Sequence, residues 1–268
     1  METIDGRSVR VARWISGKND HLPVLFFNGI GANLELIAPL AEKMSERDFI
    51  TFDMPGIGGS PEPAVPYRPW MMARIADLLL DRFGYDKVDV IGISWGGAMA
   101  QQYSLQCSAR VNKLILVATT AGMLMVPGKI SALSKMIDPR RYIDPDYMLK
   151  NFKKLYGGID SGADAHVERI TPPTRMGYFY QMLAMIGWTS APWLPFMRPE
   201  TLIMMGDEDK VVPLINGKFL RSLIPSSRLE VIKGGGHLFL MAEADYCVGL
   251  IRDFLNRTGL LNPAHAQR

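Results

Sequence analysis

The chain has 268 residues, 48% hydrophobic and 21% charged, the balance of one folded catalytic-sized domain, which excludes a disordered polypeptide. Lys and Arg number 30 against 27 acidic residues, and the charge of +3 is spread without a basic run, so nucleic acid is not an expected partner. Cys107 and Cys247 lie in apolar helical patterns as core thiols, and His21, His166, His237 and His265 are isolated. Neither a metal site, a redox pair nor a cofactor is expected.

In chain order, METIDGR lacks the basic and apolar segments of a secretory signal, and a cytoplasmic location is expected. Asp5-Gly6 between short β-like runs reads as a hairpin turn. Continuous apolar runs follow at Val24–Phe27, Phe49–Asp53, Val88–Ile93, Leu114–Ala118, Thr201–Met205 and Leu229–Ile232. Bounded by Gly, Pro or Asp, they suit strands buried on both faces, as in a parallel sheet. Amphipathic segments near Met71–Arg82, Gly97–Gln106, Leu214–Leu223 and Ala242–Leu255 supply helices for its two faces.

The alternation breaks between Gly122 and Pro199, where Met, Tyr, Trp, Pro and Gly accumulate and no buried strand is predicted. Such an insertion reads as a helical cap over the carboxyl ends of the strands, where open α/β sheets bind ligands. The expected organisation is a core over 1–121 and 199–261, a cap over 122–198 and a flexible tail over 262–268. Within the cap, Gly177–Met197 carries no charge, but Gln181, Gly187, Pro192 and Pro195 interrupt it, so no transmembrane segment is predicted.

Val88–Ile93 runs directly into Gly92-Ile93-Ser94-Trp95-Gly96 and then into a predicted helix. The chain must reverse sharply at Ser94, projecting its hydroxyl above the sheet, and the helix start adds free N–H donors for an oxyanion. Strand, Gly-x-Ser-x-Gly and helix in that order resemble the nucleophile elbow of α/β-hydrolases. The expected fold class is therefore α/β: a mostly parallel sheet with helices on both faces and an inserted cap. Ser94 needs a base. His237 follows the last strand on Gly234-Gly235-Gly236, a run able to turn over the sheet edge. For the acid, Asp207, Glu208 and Asp209 crowd one turn, and spacing alone does not select among them. The superfamily's Gly-x-x-Asp pattern points to Asp209, with Asp207 holding the loop. The loop Asn28-Gly29-Ile30-Gly31 is expected to pair the N–H of Ile30 with that of Trp95 as an oxyanion hole.

The chain further resembles intracellular depolymerases of medium-chain-length polyhydroxyalkanoates. The likeness rests on Phe27–Leu36, on Ser94-Trp95-Gly96-Gly97-Ala98 with Ala100-Gln101-Gln102, and on Met125–Lys129. It continues through Arg140-Arg141-Tyr142, Tyr156-Gly157-Gly158, Gly187-Trp188-Thr189-Ser190 and Gly235–Leu240. It implies hydrolysis of polyesters of 3-hydroxy fatty acids held as storage granules, by a triad of Ser94, Asp209 and His237. Asn28, Trp188 and Leu238 are the expected substrate-binding residues, and a hydrophobic polyester or acyl ester the expected partner. Methionines concentrated in the cap suit an adaptable apolar wall. A 3-hydroxyacyl transferase or a general carboxylesterase is the enzymatic alternative. A non-catalytic granule coat would be expected to lack part of the triad.

Overall fold

The computed structural model describes residues 1–18, 20–138, 140–157 and 167–257; the expected tail, His166, His265 and Gly158 lie outside them. β1 (Glu2–Ile4) and β2 (Arg7–Val9) form an antiparallel hairpin. Its turn is Asp5-Gly6, and both residues have positive φ, which Asp-Gly pairs tolerate. The remaining strands are β3 (Val11–Trp14), β4 (Val24–Phe27), β5 (Phe49–Phe52), β6 (Val88–Ile93), β7 (Val111–Val117), β8 (Glu200–Gly206) and β9 (Ser227–Ile232). They form a seven-stranded sheet in the order β3-β5-β4-β6-β7-β8-β9, parallel except where β3 meets β5.

Every residue of β4, β5 and β6 is buried, because helices cover both faces. On one face α1 (Leu34–Lys43) and the last helix, Ala244–Asn256, bring Ile37, Leu40, Val248, Ile251 and Phe254 against Phe26, Ile91 and Ile115. On the other, α2 (Pro69–Phe83), α3 (Trp95–Gln106) and the helix Leu214–Leu223 bring Met72, Leu79, Met99 and Leu220 against Leu25, Val90 and Leu116. Burial of such side chains stabilises by about 1.5–3 kcal/mol each.

Two departures from the sequence reading have local causes. α1 was not predicted, because Pro39 stands inside it and interrupts the apolar pattern. β7 begins three residues before the apolar run at Leu114, taking in Asn112 and Lys113. Lys113 is buried because its ammonium donates to the carbonyls of Phe254, Leu255 and Arg257 at 2.7, 3.3 and 2.6 Å, closing the end of the last helix.

Among the described residues the segment 122–198 holds helices joined by loops and no strand, apart from an isolated bridge between Gly122 and Thr189. Its helices include Ile130–Ile137, Pro145–Tyr156 and Arg175–Ala184. Asp144 and Thr174 start the latter two by accepting the N–H groups of Tyr147 and Gly177. Among the described residues no helix is long and apolar enough to cross a membrane.

Candidate active site

Ser94 lies between β6 and α3 with φ 54° and ψ −120°, a conformation strained for any residue with a Cβ. The turn is enforced from both sides. A Cβ at Gly92 would stand 2.3 Å from the carbonyl oxygen of Gly96, and one at Gly96 would stand 2.1 Å from that of Phe27. The Ser94 N–H donates to Val117 at 2.8 Å, holding the turn against β7.

His237 comes from the loop after β9, and its Nε2 lies 2.9 Å from Ser94 Oγ. Its Nδ1 lies 2.8 Å from Asp209 Oδ2, in the loop after β8. Asp209 Oδ1 accepts the N–H groups of Val211 and Val212, each at 2.8 Å, so its carboxylate is fixed before it meets the ring. Both His237 and Asp209 are buried. Asp207 accepts instead from the Gly234 N–H at 2.7 Å, fastening the glycine run that carries His237. With Nδ1–H donated to Asp209, the other imidazole nitrogen is free to accept from the Ser94 hydroxyl.

The loop after β4 brings Ile30 beside this group. Among the described residues neither the Ile30 N–H nor the Trp95 N–H donates a hydrogen bond, so both are available to an oxygen near Ser94. Asn28 braces the loop: its Nδ2 donates to the Asn33 carbonyl at 3.0 Å and its Oδ1 accepts the Gly29 N–H at 2.9 Å.

Two cavities meet at Ser94. The smaller, about 70 Å³, is bordered by Asn28, Ser94, Arg141, His237, Leu238 and Met241. The larger, about 310 Å³, is bordered by Ile30, Ser94, Trp95, Met123, Met125 and Met185. Arg141 is buried among phenols, its guanidinium donating to Tyr142, to Tyr156 at 3.4 Å and to Tyr178 at 3.1 Å. Burial works against its charge, but these oxygens outweigh it and raise its pKa, while burial raises those of Tyr142 and Tyr156.

Of the residues expected at the site, Ser94, Asp209, His237, Ile30, Trp95, Asn28 and Leu238 are brought together. Trp188 is not. Its indole N–H donates to Gln102 on the outer side of α3 at 2.9 Å, and its ring covers Gly122, where a Cβ would stand 2.6 Å from Trp188 Cε3. It borders an outer groove rather than either cavity at Ser94. The Gly122–Thr189 bridge and the bond from Met123 N–H to the Trp188 carbonyl hold it there.

The family model described as the alpha/beta hydrolase fold matches residues 23–156. The chain is 41% identical to a poly(3-hydroxyalkanoate) depolymerase of Ectopseudomonas oleovorans, across 95% of this chain and 91% of that one. The chain belongs to the α/β-hydrolase family, among the poly(3-hydroxyalkanoate) depolymerases. It is a carboxylic-ester hydrolase. A 2-hydroxy-6-oxo-2,4-heptadienoate hydrolase of Pseudomonas putida is 28% identical, with 87% and 88% of the two chains covered. An esterase from Exiguobacterium antarcticum shares the fold at a TM-score of 0.81, with 22% identity and 95% and 98% coverage.

Three further residues of this hydrolase surround the site without having been singled out from sequence. Tyr142 Oη donates to the Ile30 carbonyl at 3.0 Å, and the Tyr156 carbonyl accepts the His237 N–H at 2.7 Å. Gln181 accepts the Gly31 N–H at 2.8 Å. Tyr142 and Tyr156 do fall in segments that carry the family likeness. Gln181 leaves only the trace of one amide in an uncharged run.

Proposed function

We propose that this hydrolase cleaves medium-chain-length poly(3-hydroxyalkanoate) to 3-hydroxy acid monomers and oligomers through an acyl-enzyme on Ser94. The observation that carries this reading is the position of Ser94 Oγ, 2.9 Å from His237 Nε2, where a small cavity meets a larger methionine-lined one. An ester within a polymer has bulk on both sides of its carbonyl. A nucleophile between two chambers accepts that arrangement, and flexible thioethers accommodate alkyl side chains of varied shape.

Ser94 Oγ attacks the ester carbon while its proton passes to His237 Nε2, and Asp209 stabilises the imidazolium through Nδ1. The carbonyl oxygen becomes an oxyanion held by the N–H groups of Ile30 and Trp95. The imidazolium then returns its proton to the departing 3-hydroxyl oxygen as the ester C–O bond breaks. Water, deprotonated by the same imidazole, attacks the acyl-serine, and proton return to Ser94 Oγ releases the carboxylic acid. The segment 122–198 acts as the cap over this chemistry. Its exposed apolar residues, among them Met123, Leu124 and Ile130, are the side turned to a granule.

The test is acid release from an emulsion of medium-chain polyhydroxyalkanoate beside a short-chain polyester, with Ser94→Ala as control. Acid from the medium-chain polymer, lost in the control, is the expected result. No acid from either polymer while p-nitrophenyl esters are still cleaved would overturn the polymer assignment and favour a small-ester hydrolase or transferase.

A further inference from the structure

The peptide unit joining Ile30 to Gly31 is held at both of its polar ends by side chains of the inserted segment. Its carbonyl accepts from Tyr142 Oη at 3.0 Å, and its N–H donates to Gln181 Oε1 at 2.8 Å. The preceding peptide unit carries the Ile30 N–H, which donates to nothing among the described residues, and Ile30 borders the same cavities as Ser94. Gly31 has φ +68°, and the loop closes this turn with one long backbone bond, from the Ala32 N–H to the Gly29 carbonyl at 3.2 Å, leaving both polar ends of the central peptide to the two side chains.

Gln181 reaches the second donor's residue as well. The indole N–H of Trp95 donates to the Gln181 backbone carbonyl at 3.0 Å. Gln181 is 1% exposed, so water does not compete for either bond. Its Nε2 donates to nothing among the described residues, so the acceptor oxygen is the part of the amide in use. One residue of the insert is thereby tied to both segments that supply N–H groups to the oxyanion.

We propose that Gln181 is a positioning residue for the oxyanion hole, setting the direction of the Ile30 N–H through Gly31 while its backbone holds the Trp95 side. The inference rests on the reading of Ser94 as nucleophile and of these two N–H groups as the hole. Charge develops on the carbonyl oxygen only as the tetrahedral intermediate forms, so a misdirected donor weakens the transition state more than the bound ester.

The experiment compares Gln181→Met, which removes the acceptor at similar volume, and Gln181→Asn, whose shorter side chain does not reach Gly31. Each is read with a p-nitrophenyl hexanoate assay and with inhibition by an alkyl trifluoromethyl ketone, whose hemiketal on the serine carries the same oxyanion. Both variants are expected to lower kcat roughly 10–100-fold, with KM within about twofold and ketone affinity weakened by a similar factor. Where the Met variant does not fold, the Asn variant carries the same expectation. Unchanged kcat, or a fall in kcat with ketone affinity intact, would overturn the proposal. Ser94→Ala, run alongside, separates the two levels: a control that still hydrolyses the ester removes the underlying reading, whereas an inactive control with unaffected Gln181 variants removes this inference alone.

Discussion

The ring of Tyr156 lies parallel to the imidazole of His237, with centroids 6.2 Å apart and planes 8° from parallel, while its own carbonyl accepts the His237 N–H at 2.7 Å. The inserted segment therefore holds the histidine by backbone and by ring. Tyr156→Ala is expected to lower kcat about tenfold and stability by about 3–5 kcal/mol, since the ring is buried and its removal leaves a cavity. Tyr156→Phe keeps the stacked ring and should retain turnover within about threefold. Steady-state kinetics on a soluble ester together with urea denaturation decide the matter; wild-type turnover in the alanine variant would show that the ring does not orient the imidazole.

The two aspartates of the turn after β8 separate by role. Asp209→Asn replaces the group that receives Nδ1–H and should cut kcat/KM by roughly 10³–10⁴. Asp207→Asn touches the bond to the Gly234 N–H and makes no contact with the ring, so a loss of less than about tenfold is expected. A reversed ranking of the two variants would exchange the assignments.

Asp53 gives a pH signature. Burial pushes its carboxyl up to about 6, only partly offset by bonds from the Gly59 and Leu34 N–H groups and the charge of Arg10. The folded protein thus binds this proton more tightly than the unfolded chain. The associated stability is complete below about pH 3.8 and disappears as pH rises through about 6. Relative to Asp53→Asn, the wild type should lose about 2–3 kcal/mol between those limits. Denaturation of both proteins across that range measures the difference, in which the other carboxylates cancel; a flat difference would refute it.

Lys113→Met should lower stability by about 2 kcal/mol, because three carbonyls at the end of the last helix lose a charged donor. The change in urea midpoint at unchanged slope is the measurement. Ester turnover should hold, since Lys113 stands at the amino end of β7, opposite the site.

The proposed nucleophile was legible because its signature is local in sequence, with two glycines at fixed distance from Ser94, a strand before and a helix after, although the clash that requires Gly96 comes from the distant Phe27 carbonyl. His237 followed from its place on three glycines after the last apolar run, and the mostly parallel sheet from the runs themselves, whereas the order of the strands within it came only with the structure. Asp209 needed the superfamily pattern, since nothing in Asp207-Glu208-Asp209 says which carboxylate the fold turns inward. Gln181 and the carbonyl of Tyr156 were beyond reach, because their meaning lies in contacts with residues 150 and 81 positions away along the chain. Trp188 was expected beside substrate from the uncharged run it lies in and from the family likeness, and the Gly122–Thr189 bridge directs it outward. α1 stayed hidden behind Pro39 for an equally local reason.

Three loops meet almost backbone to backbone behind the imidazole. A Cβ at Gly236 would stand 2.4 Å from the carbonyl carbon of Gly157, and one at Gly157 would stand 2.2 Å from the Glu208 carbonyl oxygen. No side chain fits at either position while the other two loops stay in place. Transplanting the insert from another hydrolase is therefore not a modular exchange. The graft has to bring a residue without a Cβ to the end of its helix, or the histidine and acid loops have to be rebuilt with it. In any such graft these three pieces travel together.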